Sequence, residues 1–93
     1  MHELHAFVNI FVEASSIDGV IEALNKIDTM EELYEVTGEF DIVSIVSASD
    51  IESFRDVLKN RIMKINGVKS TITSIVLSTH KGPKCIALNH ITM

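Results

Sequence analysis

The stretch Leu4 to Ala14, LHAFVNIFVEA, constrains the fold more than any other part of the chain. It puts Ala6, Val8, Ile10 and Val12 on one face and His5, Phe7, Asn9, Phe11 and Glu13 on the other. This is the period-two alternation of a β-strand built from strand formers. One face is wholly apolar and the other half apolar, so the strand has a core on one side and a second side that water alone does not suit.

The segments that follow alternate in type. Ser15 and Ser16 offer hydroxyls to the free amides of a starting helix, and Ile17, Val20, Ile21, Leu24 and Ile27 recur at helical spacing up to about Lys26 or Ile27. Met30 to Thr37 reads as a strand whose apolar residues, Met30, Leu33 and Val36, are irregularly placed, which suggests a bulge. The Thr37-Gly38-Glu39 corner joins it to a β-branched run, Phe40 to Ala48, as an antiparallel hairpin. Ser49 and Glu52 match a capping box, and Ile51, Phe54, Leu58, Ile62 and Ile65 predict a second helix from Ile51 to Ile65. Asn66-Gly67 ends it in a left-handed cap. Val68 to Thr79 supplies a last strand, with Ser70, Ile72, Ser74 and Val76 on one face and Thr71, Thr73, Ile75 and Leu77 on the other. Beyond the turn at Gly82-Pro83, Lys84 to Leu88 reads as either an edge strand or an arm.

The order is strand, helix, strand, strand, helix, strand. Lys26 to Met30 and Lys64 to Val68 occupy equivalent helix-to-strand junctions, as two copies of one βαβ-like half do. That is the ferredoxin-like βαββαβ topology of the α+β class, a four-stranded antiparallel sheet with both helices on one face. Residues 1–79 form this domain and 80–93 a tail. The face left bare carries His5, Phe7, Asn9 and Phe11, and a second sheet is expected to cover it. Burying the two phenylalanines is worth about 1.5–3 kcal/mol each.

Composition supports assembly and narrows the partners. Hydrophobic residues make up 46% of the 93 residues but aromatics only 5%, so the mean hydropathy of +0.27 comes from aliphatic side chains that one small domain hides with difficulty. A formal net charge of -5 argues against direct nucleic-acid binding, which rests on clustered Lys and Arg. No apolar run suggests a membrane span and the start lacks a signal peptide, so the expected location is cytoplasmic. Cys85 is the only cysteine, and His2, His5, His80 and His90 show no metal-ligand spacing, so neither a cofactor nor a metal is expected.

Two segments, Leu33 to Ile42 (LYEVTGEFDI) and Lys64 to Thr73 (KINGVKSTIT), together resemble the effector domain of the Lrp/AsnC family of transcriptional regulators, the RAM domain. The likeness runs over about residues 4–79. It is carried by V-T-G-x-[FY]-D followed at the right separation by I-x-G-V-x-x-T-x-T. The resemblance implies a ferredoxin-like fold, dimers joined through their sheets, rings of dimers, and amino-acid effectors held where dimers meet. Thr29 departs from the pattern, standing where the family has a glycine, and the tail after Thr79 has no match in it. No helix-turn-helix precedes the first strand, so the chain resembles the sensing half of such a regulator, with full-length regulators as possible partners in mixed oligomers.

Residue by residue, the resemblance points to Thr37, Gly38, Glu39, Phe40, Asp41, Thr71 and Thr73 as effector neighbours, with His5, Phe7, Asn9 and Phe11 at the dimer interface. The chemistry suits an amino acid. Gly38 admits a ligand to the backbone, threonine hydroxyls donate to its carboxylate, and Asp41 accepts from its ammonium. Plainer roles exist for the same residues: Gly38 as a turn former, Asp41 as a cap of its own loop, and Thr71 and Thr73 as ordinary strand residues. The sequence contains no phosphate loop, nucleophile elbow or paired catalytic carboxylates, and an enzyme is the weakest of the three readings, behind sensing and bare oligomerisation.

Overall fold

The computed structural model describes residues 3–82. The tail beyond Gly82, with Cys85 and His90, and His2 at the start lie outside the described residues. Strand β1 (Leu4–Val12) pairs antiparallel with β3 (Ile42–Ala48) on one side and β4 (Val68–Ile75) on the other. Strand β2 (Met30–Glu35) adds to the outer edge of β3, giving the order β2-β3-β1-β4 expected of two interleaved βαβ halves.

The alternation in β1 decides which way the sheet faces. Ala6, Val8 and Ile10 are wholly buried and Val12 nearly so, opposite Val46, Ser44 and Ile42 of β3. Helix α1 (Ile17–Asn25) contributes Val20 and Leu24 to this core. Helix α2 (Ile51–Asp56) adds Phe54 to the same core, so both helices cover one face. Ser44 is the polar intruder, and its hydroxyl donates to the Val8 carbonyl at 2.9 Å, so its burial leaves nothing unpaired.

Several boundaries differ from the sequence reading. Serine capping of α1 does not occur: a 3₁₀ turn over Ala14–Ser16 leads into the helix and Ser16 makes no side-chain cap bond. The second helix is capped by Asp50 in place of Ser49. Asp50 lies directly before the first helical residue, where its Oδ1 accepts from Ser53 N–H at 2.8 Å, while Ser49 Oγ lies 3.3 Å from Ser53 Oγ. The α-helical turns stop at Asp56, and Val57–Ile62 continues as a π-helical segment, with Met63 N–H bonded five residues back to the Leu58 carbonyl. The wider turn keeps Phe54, Leu58 and Ile62, spaced by fours, against the core.

The strands are shorter than their apolar patterns: β2 stops at Glu35, β3 begins at Ile42 and β4 stops at Ile75. Single backbone bonds continue past these ends, from Val36 N–H to the Asp41 carbonyl at 3.0 Å and from Val76 N–H to the His5 carbonyl at 2.8 Å. The bulge expected in β2 falls between Met30 and Glu32. Gly67 has φ +107°, and a Cβ there would lie 2.5 Å from Ser16 Cβ, so only glycine lets β4 begin against the start of α1. The Gly67 carbonyl accepts from Glu13 N–H at 2.9 Å across this contact.

Candidate functional site

The β2–β3 connection, residues 36–41, stands at the end of the sheet where β1 runs out. Val36 N–H donates to the Asp41 carbonyl at 3.0 Å, closing the base of the loop. Gly38 takes φ +117° with open space around its Cβ position, so glycine is there for its backbone angle. Thr37, Gly38 and Glu39 are exposed, and among the described residues the N–H groups of Thr37 to Phe40 donate no backbone hydrogen bond.

The far half of the connection is clamped to β1. Asp41 N–H donates to the Ile10 carbonyl at 3.1 Å, and Asp41 Oδ2 accepts from Val12 N–H at 2.7 Å. Register between β1 and β4 shifts between Phe11 and Val12, so the carboxylate takes up an amide where the ladder is irregular. The Phe40 ring lies 5.1 Å from that of Phe11, tilted by 57°.

Thr71 and Thr73 are not brought to this loop within one chain. They sit opposite Ile10 and Val8 on β4, half-buried and on the helix-covered face. β1 lies between them and Asp41, a lateral gap of two strand spacings, about 10 Å.

The other face of the sheet holds the second predicted group. His5 is buried, Asn9 and Phe11 are half-buried, and Phe7 is 39% exposed. Register places Ile45 beside Phe7, and Val43 and Ile72 beside Asn9. Ile72 is 50% exposed and Tyr34, on the β2 edge of this face, 51%. The alternation of β1 alone does not point to Ile45, Val43, Ile72 or Tyr34, although the alternation of β4 sets Ile72 apart from Thr71 and Thr73. A cleft opens between Phe7 and the segment 76–82, where Ser78 Oγ and His80 Nε2 lie 3.3 Å apart. Among the described residues no cluster of His, Cys, Asp or Glu is arranged to hold a metal, and no helix is long and apolar enough to cross a membrane.

A β2-β3-β1-β4 antiparallel sheet with both helices on one face defines the ferredoxin-like class of α+β domains. Residues 5–84 match the family model of the Lrp/AsnC ligand binding domain, and the chain belongs to that family. It is 32% identical over 79 residues to the HTH-type transcriptional regulator Ptr1 of Methanocaldococcus jannaschii, a match covering 85% of this chain and 53% of Ptr1. Among solved structures, E. coli AsnC superposes with a TM-score of 0.82 at 28% identity, covering 86% of this chain and 54% of AsnC. The feast or famine regulatory protein Rv3291c of M. tuberculosis, complexed with L-methionine, superposes at 0.75 with 30% identity, covering 87% of this chain and 54% of that one. The chain thus spans about half the length of the curated relatives it matches.

Proposed function

We propose that this chain is an amino-acid-responsive assembly module, acting on transcription through what it assembles with and catalysing no reaction. The observation that carries the reading is the 36–41 connection, which offers adjacent amide donors at Thr37 to Phe40 beside a firmly held carboxylate. An amino acid needs such a pairing, since its carboxylate accepts hydrogen bonds a short distance from where its ammonium donates them. The relative solved with L-methionine supports this choice of ligand class.

The separation of Asp41 from Thr71 and Thr73 gives the proposal its form. The effector lies at a seam between subunits, taking the loop of one chain and the β4 threonines of another. Bare sheet faces pair first, through Phe7, Asn9, Phe11 and Ile72, into a homodimer, and dimers then meet as a ring around the effector. Full-length regulators of the same family, with the same sheet face, are the natural mixed partners, in the cytoplasm. Asp41 already spends Oδ2 on Val12 N–H, which leaves Oδ1 for an ammonium.

The test is a titration with each of the common amino acids, followed by calorimetry and by sedimentation. Heat accompanied by a shift toward larger assemblies is expected for at least one of them, because a ligand touching two subunits stabilises the assembled state. Self-association with no response to any amino acid leaves the oligomerisation reading standing in its place.

A further inference from the structure

The two predicted groups, the effector loop and the bare sheet face, meet at one contact. Phe40 belongs to the loop and Phe11 to the face, and their rings lie 5.1 Å apart. On either side of that contact the backbone is pinned, by Asp41 N–H to the Ile10 carbonyl and by Val12 N–H to Asp41 Oδ2. The loop therefore has an exposed half, Thr37 to Glu39, and a held half, in which Asp41 is bonded to the last residues of β1 and Phe40 packs on Phe11.

We infer that the Phe11–Phe40 pair couples the loop to the sheet face, so that pairing of the face and the state of the loop are linked. This rests on the proposed function for the roles of the two surfaces and adds how one regulates the other. When a second copy covers the face, Phe11 loses its freedom to tilt. Phe40 packs against it, and the loop is held in one arrangement. Linkage is reciprocal, so whatever binds and orders the loop strengthens face pairing by the same factor. Phe40 acts here as a positioning residue, through Phe11.

Reciprocity makes the coupling measurable without an effector. Amide hydrogen exchange of the 37–41 segment is followed across a protein concentration series spanning the self-association midpoint, for the wild type and for Phe40→Leu. Each is compared at its own degree of association, and circular dichroism checks that the variant is folded. In the wild type, exchange of the loop amides is expected to slow by about fivefold or more on association, the lower end of ordinary coupling between sites. In Phe40→Leu the face still pairs, but most of that response is lost.

A wild-type loop that ignores association, or a variant loop that responds as fully as the wild type, overturns the coupling. A chain that never self-associates overturns both the coupling and the pairing on which it rests. A parallel calorimetric titration with L-methionine and the other common amino acids separates the two ideas. A responsive loop in a chain that binds none of them removes the sensing function and leaves the mechanical link intact.

Discussion

Replacing Gly67 by alanine tests the close approach of β4 to the start of α1. At φ +107° an alanine carries a backbone penalty of about 1–2 kcal/mol, because its Cβ crowds the neighbouring peptide. The new carbon would also lie 2.5 Å from Ser16 Cβ, 3.0 Å from Ser16 Oγ and 3.1 Å from Val20 Cγ2. Carbon atoms prefer about 3.5–4.0 Å, and Ser16 Cβ is too close to its own backbone to swing aside. Relief requires the start of α1 to shift, an overpacking cost of about 1–3 kcal/mol beyond the backbone term. Gly38→Ala is the matched control: its φ is +117° and nothing lies within 4 Å of its Cβ position, so it carries the first penalty alone. Urea unfolding at one fixed, low protein concentration keeps assembly from masking the difference. Gly67→Ala should have a midpoint lower than Gly38→Ala by about 1 M, given slopes of about 1–3 kcal/mol per molar urea. Adding Ser16→Gly should recover about 1 kcal/mol or more in the Gly67→Ala background and nothing beside Gly38→Ala. Equal midpoints for the two alanine variants would refute the clash and the close approach of β4 to α1.

Two further substitutions probe hydrogen bonds. Asp41→Ala strands the partly buried Val12 N–H and should cost about 1–3 kcal/mol, read as a lowered thermal midpoint, while Asp41→Asn keeps an acceptor and should cost less. Asp50 caps α2, and the Ser53 backbone N–H, with a smaller share from the Ser53 hydroxyl, holds its carboxyl below the ordinary value. A carboxyl depressed in the folded state contributes stability above its unfolded value and loses it as pH falls through the folded one. Asp50→Ala should therefore lower the urea midpoint at neutral pH, and the gap to wild type should close in acid.

How far the fold could be read from the chain depended on whether a residue's local pattern and its partner agreed. The β1 alternation was legible because a central strand is judged by both of its faces, and Ala6, Val8, Ile10 and Val12 are all buried as their spacing demands. Strand ends were not legible, since Val36 and Val76 look like strand residues and each still donates a backbone hydrogen bond, to the Asp41 and His5 carbonyls, where the regular ladder has already stopped. The cap is ambiguous in the sequence, because Ser49 with Glu52 fits a capping box while Asp50 stands directly before the first helical residue and caps by position. The π-helical segment had a faint signal in Phe54, Leu58 and Ile62, two consecutive steps of four. For the candidate site, the loop residues came from one continuous motif and do lie together. The threonines came from a second motif, and the distance between them across β1 depends on strand order, which neither motif contains.

The same comparison of halves isolates one residue at odds with its surroundings. Gly67 and Thr29 occupy matching places before β4 and β2, yet only Gly67 has positive φ, and Thr29 keeps its backbone among ordinary angles. The Thr29 carbonyl is well used, accepting from Ser47 N–H at 2.9 Å, but its hydroxyl oxygen is buried with no hydrogen-bond partner among the described residues. A hydroxyl removed from water without a partner costs about 1–3 kcal/mol in proteins, and valine has nearly the same shape with no such demand. Thr29→Val should therefore raise the urea midpoint, by an amount worth about 1 kcal/mol, while leaving the Ser47 contact and the β2 register as they are. A lowered midpoint with an unchanged slope would refute the reasoning, because it would mean that the added methyl crowds the site by more than the unpaired hydroxyl costs.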